Sequence, residues 1–155
     1  MSYEELLEEA SQEGLIVKEK PLLNNDGRLK GKRIAIRQDI PTTSKKADVL
    51  AEEMGHYYTS VGRIVEQDTA ESIKQERTAR LWGYNKRIGL NGLIQAFKAH
   101  CETLYDIAEF LNVSEESLTE ALEYYRQIYG NGVMVENYFI QFEPNLQIHT
   151  MLLVD

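Results

Sequence analysis

Residues 50–60 read LAEEMGHYYTS, and the letters EEMGH within them differ at one position from HExxH, the helical motif of zinc peptidases. In that motif two histidines one helical turn apart bind the metal, and the glutamate after the first acts as general base. Here Glu52 stands at the first histidine position, Glu53 at the glutamate and His56 at the second histidine. The stretch is therefore either a metal site with a changed ligand or an ordinary acidic helix.

The residues around this stretch indicate an amphipathic helix. Residues 42–44 read TTS and offer N-cap candidates for a helix that continues to about Ser60. Apolar side chains recur along it at helical spacing, namely Ala47, Leu50, Ala51, Met54 and Tyr58. At about 100° per residue, Glu52, Glu53 and His56 fall on the opposite side of the helix, clear of that stripe.

The spacing of Glu52 and His56 allows both side chains to point at one ion, because residues four apart lie on one helix face. Zinc accepts imidazole nitrogen and carboxylate oxygen as ligands, and its catalytic sites have three protein ligands and a water. Glu53 would lie beside that water rather than on the metal, where it could take a proton. A third ligand must therefore come from elsewhere in the chain.

Glu76 is the best candidate for the third ligand, on a helix predicted over about residues 69–86. Ala79 and Gly83 share its helix face and are small enough to let two helices approach closely. Packed antiparallel, the two helices could bring Glu76 to His56. The sequence thus predicts a two-helix active-site core of the zincin kind.

These residues also have an ordinary interpretation. A glutamate and a histidine four residues apart are a common solvated helix pair, worth roughly a few tenths of a kcal/mol. Glu76 and Arg80 have the same spacing and could form a surface ion pair. Spacing alone leaves both interpretations open.

The remaining sequence indicates an α+β fold, in which a small antiparallel sheet packs on a mostly helical domain. Alternating Ile34 and Ile36 predict a strand, and residues 16–37 fit an antiparallel hairpin sheet. Periodicity and capping residues predict further helices, at residues 2–13, 91–111 and 114–129. One or two strands, or an extended cover, are expected in residues 133–155. We expect one domain over residues 1–155, with a helical subdomain at about 91–129.

Composition excludes several classes of protein. A formal net charge of -8 over 155 residues argues against a nucleic-acid surface, because phosphate binding needs clustered Lys and Arg. No stretch approaches the roughly 18 apolar residues of a membrane span, and the acidic, amphipathic N-terminus is not expected to be a signal peptide. The single cysteine, Cys101, fits a reducing compartment. We expect a cytoplasmic protein that binds neither nucleic acid nor membrane directly, and the oligomeric state stays open.

Residues 106–125 imitate a helix-turn-helix, with an apolar helix, the turn NVS and a second helix. The second helix carries one basic residue, Arg126, against four acidic ones, namely Glu115, Glu116, Glu120 and Glu123. A DNA backbone would repel such a helix. Two interpretations stay open, a packed helical subdomain and an acidic surface that recognises a basic partner.

The other two histidines are weaker metal candidates. His100 and Cys101 are adjacent on a predicted helix, so their side chains point about 100° apart and rarely share an ion. A packed pair is therefore favoured. His149 lies among apolar residues near the C-terminus and is expected to be structural or exposed.

The wider context of EEMGH resembles a known family. Residues 49–57 read VLAEEMGHY and residues 76–82 read ERTARLW. With the preceding hairpin sheet, they resemble the ImmA/IrrE family of small cytoplasmic metallopeptidase-like proteins of prophages and integrative elements. That family's two helices read LAHELGH and ExxAxxF/W, which the chain matches at Ala51, Glu53, Gly55, His56, Glu76, Ala79 and Trp82. Residues 106–118 and 142–146 also look like family segments, so the resemblance covers nearly the whole chain.

The resemblance implies a zinc-dependent endopeptidase whose substrate is a helix-turn-helix repressor encoded nearby. It assigns Glu53 as the general base and His56 and Glu76 as metal ligands. Glu52 departs from the family, which has histidine there. A carboxylate can also bind zinc, but two glutamates and one histidine make a more anionic site that suits manganese somewhat better. A non-enzymatic antirepressor that occludes its partner is the alternative function.

Overall fold

The computed structural model describes residues 1–60 and 69–151, and these residues form an α+β fold, as predicted. They divide into two compact units, Met1–Arg87 and Ile88–Asp155. The division lies close to residue 91, where the helical subdomain was predicted to begin. The single domain over residues 1–155 stays a prediction.

In the first unit, the three strands of a sheet follow the first helix and precede the second helix along the sequence. Its elements are α1 (Tyr3–Gln12), β1 (Ile16–Lys20), β2 (Gly27–Lys30), β3 (Arg33–Arg37), α2 (Thr43–Thr59) and α3 (Thr69–Arg87). Helix α1 begins with a capping box, because the Ser2 hydroxyl accepts from the Glu5 amide at 3.1 Å and the Glu5 carboxylate accepts from the Ser2 amide. The sequence prediction for this helix is confirmed to within a residue or so.

The first sheet has the strand order β1-β3-β2 and mixed directions. Strands β2 and β3 are antiparallel, as the hairpin prediction has it, and Gly31 joins them at a φ of 60° that favours glycine. Strand β1, however, runs parallel to β3, with Ile16 opposite Arg33, so the prediction of an antiparallel sheet is wrong for this pair. Strand β2 forms the hairpin with β3 and occupies one edge of it. Strand β1 therefore pairs with the opposite edge of β3, where it runs in the same direction as β3.

Helix α2 is the centre of the first unit. It begins where the sequence predicts, because the Thr42 hydroxyl accepts from the Lys45 amide at 3.1 Å. The predicted stripe is confirmed, since its first four members have no exposed surface, namely Ala47, Leu50, Ala51 and Met54. These side chains belong to one core with residues of α1 and β3, among them Leu6, Ile34 and Ile36.

Helices α2 and α3 pack against each other at unusually close range. A Cβ added to Gly55 would overlap the backbone carbonyl oxygen of Ala79. A Cβ added to Gly83 would lie 3.3 Å from the carbonyl carbon of Ala51. Position 55 therefore faces 79 while 51 faces 83, which is the antiparallel arrangement predicted from the small residues of α3.

The second unit contains three helices and a second sheet. Its elements are α4 (Gly89–Lys98), α5 (Leu104–Leu111), α6 (Glu115–Tyr129), β4 (Gly132–Val135), β5 (Tyr138–Gln141) and β6 (Gln147–Thr150). The second sheet is antiparallel with the order β4-β5-β6, so the tail as described, up to residue 151, holds three strands rather than the predicted one or two. Ile140, which has no exposed surface, pairs with Val133 and Ile148 on the neighbouring strands.

The predicted helix over residues 91–111 is two helices. Helix α4 ends at Lys98, His100 has a φ of 65°, and a capping box of Thr103 and Asp106 begins α5. Apolar side chains keep their periodicity across the break, which is why the periodicity alone joined the two helices. His100 and Cys101 consequently lie in the turn and not on a helix.

The helix-turn-helix-like segment is a packed pair, α5 and α6. Asn112 takes the left-handed conformation between them, and Leu118, Ala121 and Tyr125 of α6 are buried. Arg126 is ion-paired with Glu123 and, at 3.0 Å, with Glu143. This arrangement agrees with the packed helical subdomain.

None of the helices within residues 1–60 and 69–151 has the length and apolar character needed to cross a membrane.

His149 lies on β6 and is exposed, with its ring stacked on Phe139 and its Nε2 atom 3.3 Å from the Gln141 side-chain oxygen. This placement agrees with the expectation that His149 is structural or exposed.

Candidate metal centre

The close packing of α2 on α3 brings three of the predicted site residues together. Glu52 and His56 project from one face of α2, and Glu76 projects from α3. One donor atom from each of these side chains lies within 4.8 Å of the other two. Gly55 and Ala79 make this possible, since larger side chains there would hold the two helices apart.

His56 and Glu76 are in direct contact across the helix pair. The imidazole Nε2 of His56 lies 3.2 Å from a carboxylate oxygen of Glu76. The side chains of Glu52, His56 and Glu76 are 31%, 23% and 45% exposed. The sequence correctly placed Glu52 and His56 away from the apolar stripe, but α3 half-buries them, so they do not form the solvated surface pair of the ordinary interpretation.

The two carboxyl groups of the cluster differ in their affinity for a proton. Burial raises the pKa of Glu52 to about 8, and the hydrogen bond to Glu76 adds to this rise. The same hydrogen bond lowers the pKa of Glu76, with the charges of His56 and Arg80 acting in the same direction. Glu76 therefore gives up its proton at lower pH than Glu52.

Glu53 lies beside the cluster rather than within it. Its side chain points toward β2, because a Cβ added to Gly27 would lie 2.9 Å from the Glu53 Cγ and 3.0 Å from its Oε1. Burial and, as a smaller contribution, the negative charge of Glu76 together raise the pKa of Glu53 to about 7. A carboxyl group with a pKa near neutrality can both accept and release a proton, which is what a general base must do.

Arg80 is the residue of this site whose contacts the sequence predicted only in part. Its Nε atom lies 3.6 Å from Glu76, as the four-residue spacing predicts, but also 3.4 Å from Glu52 of the other helix. The second contact follows from the antiparallel pairing, because position 80 faces 52 when 79 faces 55. Spacing within α3 could reveal only the first contact.

The donor set fits a divalent metal ion. One imidazole and two carboxylates are ligands that zinc accepts, and manganese favours the carboxylates. Zinc ligands lie about 2.0–2.2 Å from the ion, so donors on one ion are roughly 3–4 Å apart. The donor atoms of Glu52, His56 and Glu76 all lie within 4.8 Å of one another, and rotation of these partly exposed side chains can bring them onto one ion.

Comparison of the chain with known protein families, with curated proteins and with solved structures finds no match. Membership of the ImmA/IrrE family therefore stays a prediction from the EEMGH and ERTARLW motifs.

Proposed function

We propose that this chain is a cytoplasmic metal-dependent endopeptidase that cleaves a helix-turn-helix repressor of a phage or integrative element. Zinc, or manganese as second candidate, would be held by Glu52, His56 and Glu76, with Glu53 as the general base. The observation that carries the proposal is the convergence of three donor atoms from two helices within 4.8 Å of one another. The resemblance to the ImmA/IrrE family supplies the reaction and the substrate class.

Each residue has a distinct part in the proposed reaction. A bound zinc ion supplies Lewis acidity, which makes water a stronger nucleophile near neutral pH. Glu53 lies outside the donor set, so its carboxylate is available to accept a proton from the attacking water and to deliver it to the leaving amine. Gly27 lies close against the Glu53 side chain and restricts the directions in which this carboxylate can point.

The charge of the chain supports a basic partner. A formal net charge of -8 disfavours direct DNA binding but attracts proteins whose own DNA-binding surface is positive. Helix-turn-helix repressors present such a surface, because they contact DNA phosphates with basic side chains. Electrostatic attraction would increase the rate of encounter with this substrate.

A second candidate function is an antirepressor that binds the same partner without cleaving it. The observation in its favour is Glu52, which adds a negative charge where the family has a neutral imidazole ligand. A more anionic ligand set would make a bound metal ion a weaker Lewis acid, so that it would activate water less strongly. Both functions use the same partner, and they differ in the need for Glu53.

The metal content of the purified, untagged protein tests the centre itself. We expect close to one equivalent of metal by mass spectrometry, and a loss of metal in His56→Ala and Glu76→Ala. The Glu52→Ala variant reports whether the substituted position contributes a ligand. A wild-type protein that takes up neither zinc nor manganese on reconstitution would contradict the proposal.

Glu53→Gln separates the enzyme from the antirepressor. In an enzyme this variant keeps its metal and its fold but no longer removes the co-expressed repressor. In an antirepressor the variant acts like the wild type, and the repressor stays intact in both cases. Glu102→Gln, an exposed substitution of the same kind in the second unit, is the matched control.

A further inference from the structure

We infer that Arg80 is a positioning residue of the metal centre, which holds Glu52 and Glu76 in the orientation that lets a glutamate serve in place of histidine at position 52. This inference rests on the proposed metal site but not on peptidase activity. It adds a residue outside the donor set and gives it a role that can be measured as metal affinity.

The contacts of Glu76 show a division between its two carboxylate oxygens. Oε1 lies 3.6 Å from the Arg80 Nε, whereas Oε2 lies 3.2 Å from the His56 Nε2. The nearest contacts of Arg80 and His56 are thus with different oxygens of the Glu76 carboxylate. Carboxylates that bind metals are commonly oriented by a partner at the other oxygen, and Arg80 lies beside that oxygen as an ion-pair partner.

The contact with Glu52 explains why the substitution is tolerated. The Arg80 Nε donates to the Glu52 Oε1 at 3.4 Å, from the opposite helix. A neutral histidine ligand at position 52 would bring no charge to the metal centre, whereas a glutamate that binds the metal is ionised and brings a negative charge beside that of Glu76. Arg80 places a permanent positive charge among these carboxylates, because a guanidinium stays protonated at every accessible pH. One arginine thus orients two ligands and offsets the added charge.

Zinc affinity of the metal-free, full-length protein measures this role. We expect Arg80→Gln to weaken zinc binding about 10- to 100-fold, the range found when a partner of a ligand is removed. Arg80→Lys keeps the charge but not the planar geometry, so its affinity should lie between the two. Lys74→Gln removes an exposed charge from another face of the same helix and should leave the affinity within about twofold of wild type.

A double-mutant cycle with Glu52→His tests the specific link between positions 52 and 80. In the Glu52→His background the guanidinium has lost one of its two carboxylates. Arg80→Gln should therefore weaken zinc binding at least about threefold less there than in the wild-type background. If Arg80→Gln does not fold, Arg80→Lys replaces it in the same cycle, with a smaller loss expected in both backgrounds.

Three results would overturn the inference. Equal or tighter zinc binding by Arg80→Gln would make Arg80 a bystander or a competitor of the metal. Equal losses in the two backgrounds would remove the link to Glu52. Absence of zinc binding by the wild type would leave no centre to position, and would contradict the proposed function as well. Zinc binding without repressor cleavage would contradict only the peptidase, so the two failures are distinguishable.

Discussion

Two arginines of α3 meet acidic residues of α2, and they do so in opposite ways. Arg87 bonds Asp48 at 3.0 Å and the Ser44 carbonyl oxygen at 3.2 Å, and its side chain is 1% exposed. Arg80 lies 3.4 Å from Glu52 and its side chain is 40% exposed. Asp48 and Glu52 are one turn apart on α2, so one helix pair contains both arrangements.

The difference between the two lies in the balance of charge and in access to solvent. Arg87 and Asp48 neutralise each other in the interior, and the guanidinium also donates to the Met1 carbonyl oxygen. The charges of this pair are balanced, so the pair has no excess negative charge with which to bind a cation. Around Arg80, by contrast, the carboxyl groups of Glu52 and Glu76 share one guanidinium, and these three side chains are 31–45% exposed. Charge pairing at one end of the helix pair thus serves the fold, while an excess of carboxylates at the other can bind a cation.

Arg87→Met should produce the largest loss of stability. It leaves the Asp48 carboxylate in the interior without its guanidinium partner, and removing one member of a buried pair costs about 3–5 kcal/mol. Urea unfolding followed by circular dichroism measures the change in the free energy of unfolding. A loss below about 1 kcal/mol would show that the Arg87 pair does not differ from an exposed one.

Gly55→Ala should produce the second-largest loss of stability, and it should also weaken metal binding. The new Cβ overlaps the Ala79 carbonyl oxygen, which is backbone and cannot move aside without separating the helices. We expect a loss of about 1–3 kcal/mol in the free energy of unfolding, with weakened metal binding. Gly83→Ala is the matched control, because its Cβ would meet Ala51 at 3.3 Å and needs only a small shift. Equal effects of the two variants would contradict the close approach at Gly55.

The sequence predicted the helix pair well because small residues and ligand spacing are local properties. Glu52 and His56 were identified from four-residue spacing, and Glu76 from its place on the next helix. The antiparallel packing followed from Ala79 and Gly83, which share the helix face of Glu76. The role of Gly55 itself was visible only in the structure, where the backbone of α3 lies against it.

The remaining errors concern long-range or competing signals. The parallel pairing of β1 with β3 depends on which strand takes the hairpin position, and strand periodicity is the same in both directions. The break after Lys98 was hidden because apolar residues continue through it, although Thr103 and Asp106 carried a capping signal. The contact of Arg80 with Glu52 needed the helix register across the pair, which a single sequence does not contain.

Alkaline pH should lower the free energy of unfolding through the buried phenol of Tyr3, which distinguishes this group from the arginine pairs. The Tyr3 phenol is 6% exposed and donates to Glu19 at 3.3 Å, and burial raises its pKa to about 12 from 10. Because the folded pKa exceeds the unfolded one, its contribution is complete below pH 10 and is lost as the pH rises toward 12. Tyr3→Phe should remove this part of the alkaline loss, and Tyr105→Phe, which is 59% exposed, should not. Stability curves of equal slope for wild type and Tyr3→Phe above pH 10 would refute this.

Arg80→Gln in the metal-free protein should have the smallest effect on stability. Its ion pairs are 3.4–3.6 Å long and solvent screens a side chain that is 40% exposed, so the expected loss is at most about 1 kcal/mol. The same urea unfolding experiment used for Arg87→Met measures it, at pH 7 and in excess chelator. A small loss of stability together with a large loss of zinc affinity would separate the two arginines by function. A loss as large as that of Arg87→Met would make Arg80 a second structural pair, since the fold itself would then depend on it.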